Sequence, residues 1–366
     1  MVDQAEEFAW GGGGEGAEIL VHAPDEATAE RAFGRALPAA GLPGVQSPVH
    51  AVASAENLGW VAVSGTHAAP DLLSGPARGL LLVADVDAAN LGVPARDVTD
   101  LALRGLAEAR PSMPVLNEAG VRRACEEGAV AGAEDGLVEE EDLAHLGPVG
   151  GDPDALGRRA LSAGTRDWEG PFGLEAAVVG GVLDADGAEA LVLRPGMLVF
   201  VVRAWAGDLG RLALGTHRDR IFTRIRAGVD FGSGDDPPAA PVETEEAADL
   251  VSAANAASNF ADARAARALY ALRRVLAGVA GGLDLRASWK VGGIEEQDGF
   301  LIHRNNLAAV GEGKTMVSGS VVAAGTGKMW RSAPPFGAPE AEGLWPWEEA
   351  GLLGRWANLD PTGGEG

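Results

Sequence analysis

The stretch Glu245–Gly278, EEAADLVSAANAASNFADARAARALYALRRVLAG, limits the possible folds more than any other. Read as one helix rising 1.5 Å per residue, it spans on the order of 50 Å. Thr244 stands where an N-cap hydroxyl belongs. Glu245 and Glu246 at its start and Arg273–Arg274 near its end both suit the helix dipole. Its alanine-rich faces allow close packing, so the expectation is a scaffold helix inside the fold.

Around it the pattern is mixed. EILVHA (18–23) reads as a strand and PDEATAERAFGRALPAAG (24–41) as a helix opened by Pro24 and Asp25, together a βα unit. GWVAVSG (59–65) and GLLLVADV (79–86) are short apolar runs with strand character, and ARDVTDLALRGLAEAR (95–110) has helical spacing. LEAAVVGGVLDADG (174–187), EALVLRP (189–195) and MLVFVVRAW (197–205) supply three further strands, separated by DADG and PG turn signals. The expected class is α+β, with mixed β-sheets packed against helices. A chain of 366 residues with 46% hydrophobic content can bury such a core. Residues 1–16 read as a flexible glycine-rich tail, 17–337 as a single large domain, and 338–366 as a short C-terminal cap or tail.

A net charge of −24 and a pI near 4.6 oppose diffuse attraction to nucleic acid or anionic membrane, so any nucleic-acid contact needs a local basic surface. The single cysteine, Cys125, excludes an internal disulfide framework and a cysteine-rich metal site. No basic segment followed by an apolar run opens the chain, and no window has the length of a membrane span; the expectation is a cytoplasmic protein with no membrane partner. Acidic residues and glycine dominate 118–160, around a helical VEEEDLAHLG, and read as a solvated face.

Two stretches carry candidate chemistry. Gly299–Gly337 holds Lys314 and Lys328, two of only three lysines in the chain, with Lys290 just before it. Phe300–His303 and Thr315–Ala324 read as strands joined across GEGK, flanking a loop with His303, Arg304, Asn305 and Asn306. GEGKT (311–315) ends like a P-loop but lacks its opening glycine. The second stretch places Arg203, Arg211, Arg218, Arg220, Arg224 and Arg226 close together with His217, and Arg194 just before. Guanidinium groups favour bidentate contact with phosphate or carboxylate; equally, these could pair internally with the excess Asp and Glu. The six histidines show no HxH, HExxH or HxxxH spacing.

HRNNLAAVGEGKTMVSGSVVAAG resembles the corresponding segment of the RtcB family of RNA ligases, keeping His303, Arg304, Ala308, Gly319 and Ser320. Further echoes come in family order: PVH (48–50), LGWVAV (58–63), PARG (76–79), GPFGLE (170–175), RAWAGDLG (203–210), NFADAR (259–264) and SAPPFG (332–337). The resemblance implies an RtcB-like domain across 17–337 and GTP- and manganese-dependent joining of RNA ends through a guanylylated histidine. The chain departs at those positions. Leu81 and Ala84 stand where the family has a metal-binding aspartate and cysteine, Phe172 and Arg203 replace metal histidines, and Pro335 replaces the guanylylated histidine. Leucine, alanine and phenylalanine cannot ligate a divalent ion, and proline has no side-chain nitrogen for a phosphoramidate.

The resemblance and the departures together imply an RtcB-like protein without the ligase chemistry, with no catalytic or metal residues and no cofactor. It is expected to bind an anion, nucleotide, RNA end or partner protein, such as a paralogous ligase. Arg203, Arg211, His217, Arg218, His303, Arg304, Lys314 and Lys328 are its candidate anion-binding residues. The alternatives are an active 3′-phosphate/5′-hydroxyl RNA ligase with a rebuilt site, retaining GTP and manganese, and a purely structural subunit.

Overall fold

The structure is a computed structural model. It describes residues 6–10, 17–23, 26–41, 44–53, 58–70, 77–91, 98, 101–102, 116–133, 136–146, 148–168, 173–179, 194, 196–231, 238–278, 285–291, 293–297, 300–305, 316–317, 321–324, 328–331 and 343–348.

The first strands are β1 (Glu6–Trp10), β2 (Ile19–Ala23), β3 (Val45–Ala53), β4 (Leu58–Gly65), β5 (His67–Ala68), β6 (Ala77–Asp87), β7 (Gly173–Val179) and β8 (Met197–Trp205). Later come β9 (Ala240–Pro241), β10 (Leu285–Val291), β11 (Gly293–Gln297), β12 (Phe300–Asn305), β13 (Met316–Val317), β14 (Val321–Ala324), β15 (Lys328–Arg331) and β16 (Gly343–Glu348). The helices are α1 (Glu26–Ala40), α2 (Glu118–Glu127), α3 (Val130–Ala133), α4 (Glu140–Leu146), α5 (Arg158–Asp167), α6 (Gly207–Arg226) and α7 (Glu245–Leu276).

The class is α+β. One sheet runs β1-β2-β3-β4-β12-β11, and an eight-stranded sheet runs β10-β6-β8-β7-β16-β15-β14-β13. The expected βα unit is present: β2 and β3 are parallel, with Ile19 opposite Val49, and α1 joins them. Ala29, Ala36 and Ala40 of α1 bury against Ile19, Val21 and Val49, where small side chains let helix and sheet approach.

The helix read from Glu245 forms as α7. The Thr244 hydroxyl accepts the Ala247 N–H at 3.3 Å, satisfying one of the first-turn donors. Along one length Ala265, Ala268, Leu269, Leu272 and Leu276 pack on Leu82, Ala84, Leu198, Phe200 and Val202 of β6 and β8. The alternate residues of those strands reach the helix because successive strand side chains point to opposite faces. The other end of the helix packs Ala253, Ala256, Ala257 and Phe260 against α2, α5 and α6. At its C-terminal end Arg273 makes a two-bond pair with the buried Asp142 of α4, at 2.7 and 3.0 Å, and also donates to the Leu285 carbonyl of β10.

Three expectations are corrected. Residues 6–10 of the supposed tail form β1, whose Phe8 lies opposite Val21 of β2 and whose Trp10 packs near Phe33 of α1. His303, Arg304 and Asn305 lie within β12 rather than in a loop, and β12 pairs with β4 and β11. It does not pair with the strands after it: β13 and β14 belong to the other sheet, so no hairpin links them to β12. The GEGK turn lies outside the described residues, as do 11–16 and most of the expected 95–110 helix. The C-terminal stretch contributes β16, which sits between β7 and β15. Among the described residues no helix is long and apolar enough to cross a membrane.

Candidate anion-binding groove

Helices α5 and α6 lie side by side and antiparallel. The end of α5 meets the start of α6, where the Asp167 carboxylate accepts the Leu209 N–H at 2.7 Å. The other end of the pair is fixed by His217 of α6, whose Nε2 donates to the Ala155 carbonyl just before α5, at 2.8 Å. Between them Gly164 permits the approach. A Cβ there would stand 2.6 Å from Val121 of α2 and 2.7 Å from Leu209.

The two sequences explain what faces outward. In RRALSAGTRD the small and apolar Ala160, Leu161, Ala163 and Gly164 are buried, leaving Arg158, Arg159, Ser162 and Arg166 exposed. In α6, Leu209, Ala213, Leu214, His217 and Ile221 are buried at helical spacing, and Arg211 and Arg218 are exposed. The outward residues border a groove of about 770 Å³, within the range of ligand clefts. Arg158, Arg159 and Arg166 come to it from α5, and Asp208 and Arg211 from α6. Arg211 donates through Nε and Nη2 to Asp208 Oδ1 at 3.0 and 2.7 Å. Arg158, Arg159 and Arg166 have no ion-pair partner among the described residues.

A rigid frame stands behind the groove. Buried Arg264 of α7 donates to the Trp205 carbonyl just before α6. Buried Arg267 donates to the Trp168 carbonyl just after α5, at 2.7 Å, and lies over the Trp168 ring. Fully buried Asn259 donates to the Cys125 and Val149 carbonyls at 3.0 and 2.9 Å and accepts the Val149 N–H at 2.9 Å. The NFADAR segment therefore contributes buried polar groups that pin neighbouring backbone.

Electrostatics divide the ionisable groups. Arg211, by hydrogen bond and charge, holds the Asp208 carboxyl below its ordinary value. Burial pushes the Asp167 carboxyl up, against the opposing Leu209 hydrogen bond. Burial likewise pushes His217 below the usual histidine value, which favours the neutral ring. Cys125 is buried, and burial pushes its thiol up to about 12, which disfavours the thiolate.

Of the candidate residues whose side chains are described, Arg211, His217 and Arg218 take three different places. Arg211 lines the groove, Arg218 is exposed further along α6, and His217 is buried in the helix packing instead of facing a ligand. Arg220 and Arg224 pair with Asp249 and Glu246 of α7 at 2.7 and 2.8 Å, so that part of the arginine cluster does pair internally. Arg203 lies in β8 opposite Gly79 of β6 and Gly173 of β7. His303 and Arg304 lie in the six-stranded sheet and Lys328 in the other; for these four only the backbone is described. Lys314 lies outside the described residues.

Sequence reading missed Arg158, Arg159 and Arg166. Their signal was available: arginines seven and eight residues apart share a helix face once Ala160, Leu161, Ala163 and Gly164 are seen as the buried side.

Among the described residues no three His, Cys, Asp or Glu side chains are grouped as a metal site. Ala84, at the position where the resemblance implies a cysteine ligand, is fully buried in the apolar cluster with Leu82, Phe200 and Leu272. Manganese does not fit that position. The fold and groove define an acidic α+β protein with a localised arginine-lined cleft. No family model and no curated protein matches the chain.

Proposed function

We propose that this chain is an RtcB-like protein that binds a phosphate-bearing ligand, a nucleotide or an RNA end, without performing the family's ligation. The groove between α5 and α6 is the binding site. The observation that carries this is the gathering of four arginines on one cleft of a chain with net charge −24, three of them without an ion pair among the described residues. Guanidinium groups bind phosphate by paired N–H donors, and such charge-assisted bonds are about twice as strong as neutral ones.

The RtcB assignment rests on the ordered sequence echoes. The absence of ligase chemistry rests on Leu81, Ala84, Phe172, Arg203 and Pro335, none of which supplies the ligand or nucleophile the family uses. No reaction step is assigned to any residue.

Isothermal titration with GTP and with a 3′-phosphate RNA tests the binding, on wild type, Arg211→Ala and Arg203→Ala. Binding that weakens in Arg211→Ala and persists in Arg203→Ala supports the groove. Binding lost only in Arg203→Ala moves the site to β8, and no binding of either ligand removes the proposal. Incubation with labelled GTP and manganese is expected to leave no covalent adduct; an adduct or ligated RNA would establish an active ligase instead.

A further inference from the structure

We infer that Ser162 marks a subsite for a single phosphate monoester in the α5–α6 groove, where Arg158, Arg159 and Arg166 close around one phosphate group. This rests on the anion-binding reading of the groove and names the ligand class for that same site.

Ser162 is exposed in the middle of α5 and lines the cleft. Residues three and four positions apart on a helix are neighbours. Arg159 and Arg158 stand three and four residues before Ser162, and Arg166 stands four after it, so all three flank the same spot. None of them has an ion pair among the described residues, so an anion there displaces no internal partner. A short side chain between long ones leaves room for a small anion to settle among the guanidinium groups. The Thr165 hydroxyl is taken, donating to the Ser162 carbonyl at 2.9 Å. The Ser162 hydroxyl has no hydrogen-bond partner among the described residues and is left to donate to a ligand.

The order of charges along α5 favours an anion at this place. Cations in the first turn of a helix oppose its dipole. α7 has the favourable order, with Glu245 and Glu246 first and Arg273 and Arg274 last. α5 instead opens on Arg158 and Arg159, with no acidic residue in its first turn and no side-chain bond from Gly157 at its N-cap. An anion held over Ser162 offsets that repulsion. Asp208 pairs with Arg211, so the charge left over at the cleft is that of the three α5 arginines, and the attraction grows with the charge on the bound phosphate. A phosphate monoester carries about −1.5 to −2 charge at pH 7 and three strong acceptor oxygens. A diester has a single charge and a second ester group to accommodate. No aromatic side chain lines the groove, so it offers no stacking surface for a base. The shared chemistry is a phosphate monoester, whether a small molecule or the phosphorylated end of a strand.

The test is isothermal titration of wild type, Ser162→Glu and Ser162→Gln with two sets of ligands. One is methyl phosphate against dimethyl phosphate, and the other a short RNA with a phosphate at its 3′ end, at its 5′ end or at neither. Wild type is expected to bind the monoester about ten-fold or more tighter than its matched control in at least one set, the worth of one further charge-assisted hydrogen bond. A preference in the small pair alone assigns a compact monoester, and a preference in the RNA set assigns a strand end; both support the subsite. Ser162→Glu puts an internal carboxylate among the same arginines and is expected to cut the preference to about three-fold or less. Ser162→Gln has nearly the same size without the charge. A preference kept in Ser162→Gln makes the charge decisive, and one lost there too shows that the space over Ser162 is needed; either places the phosphate at Ser162. A preference that survives in Ser162→Glu removes the phosphate from Ser162. Equal binding of monoester and control by wild type overturns the monoester subsite while the anion site stands, and failure of every ligand to bind wild type overturns the anion site itself. Circular dichroism on each variant checks the fold, which Glu and Gln, both good helix formers at an exposed position, are expected to keep.

Discussion

The Asp167 carboxylate accepts the backbone N–H of Leu209 at 2.7 Å, so the last turn of one groove helix caps the first turn of the other. Ala206, the residue at the N-cap of α6, has no side-chain oxygen, and Asp167 supplies from outside the helix what a serine or aspartate would supply from within. Gly207 makes room for it. With φ near +60°, it adopts a backbone disfavoured for other residues, and a Cβ there would stand 2.7 Å from the Asp167 carboxyl carbon.

Asp167→Ala is expected to cost about 0.5–2 kcal/mol, the range for a lost helix cap, read from denaturant midpoints. The pH dependence has a definite sign. The folded Asp167 carboxyl titrates above its unfolded value, so protonation favours the folded state. Its contribution is fully present below the unfolded carboxylate value and lost as pH rises through the folded one. The stability of wild type relative to Asp167→Asn should therefore improve as pH falls through the range just above ordinary aspartate; a difference that worsens there contradicts the assignment.

Gly164 is the contact point of three helices. Gly164→Ala should destabilise by about 1–3 kcal/mol, because its Cβ meets Val121 and Leu209, both buried, and overpacking a filled core costs that much. Gly215, on the same helix pair, has open space around an added Cβ. Gly215→Ala is expected to be neutral or to stabilise by roughly 0.5–1 kcal/mol, as a glycine removed from a helix interior. Thermal unfolding of the two variants distinguishes a packing effect from a general intolerance of alanine.

Asn259→Ala removes an acceptor and a donor that together satisfy the Val149 N–H and the Cys125 and Val149 carbonyls. Each buried group left without a partner costs about 1–3 kcal/mol, so a total of several kcal/mol is expected by denaturant titration. Asn259→Asp should not rescue it, since a carboxylate cannot donate to those carbonyls.

Cys125 should resist a thiol reagent such as Ellman's in the native protein and react completely in guanidinium. Its thiol is buried and pushed up to about 12, which leaves almost no thiolate at neutral pH. Fast native-state labelling would show that α2 opens readily from α7.

Local signals carried much of the architecture. Thr244 and the alanine-rich run identified α7, and the apolar runs at 18–23, 59–65, 79–86 and 197–205 became β2, β4, β6 and β8. Strand partners were less legible. β12 pairs with β4, more than two hundred residues earlier, because the pairing is decided by sheet packing and not by the nearest turn sequence. Counting arginines along the chain singled out Arg203–Arg226, yet Arg220 and Arg224 turn to the acidic start of α7 while Arg211 faces α5. Only the antiparallel packing of α5 on α6 brings Arg158, Arg159 and Arg166 beside Arg211. His217 looked like a ligand for an anion, but its place in the buried stripe of α6 makes it a packing residue with one hydrogen bond.

Whether the α5–α6 groove is the anion site is decided by fluorescence anisotropy of a labelled 3′-phosphate RNA. Wild type is compared with Arg158→Ala/Arg159→Ala/Arg166→Ala, three exposed positions whose loss leaves the described core intact. Salt-sensitive binding to wild type is expected, with affinity at least about ten-fold weaker in the triple variant. Equal affinity in the two proteins, with both folded by circular dichroism, would refute the groove as the site.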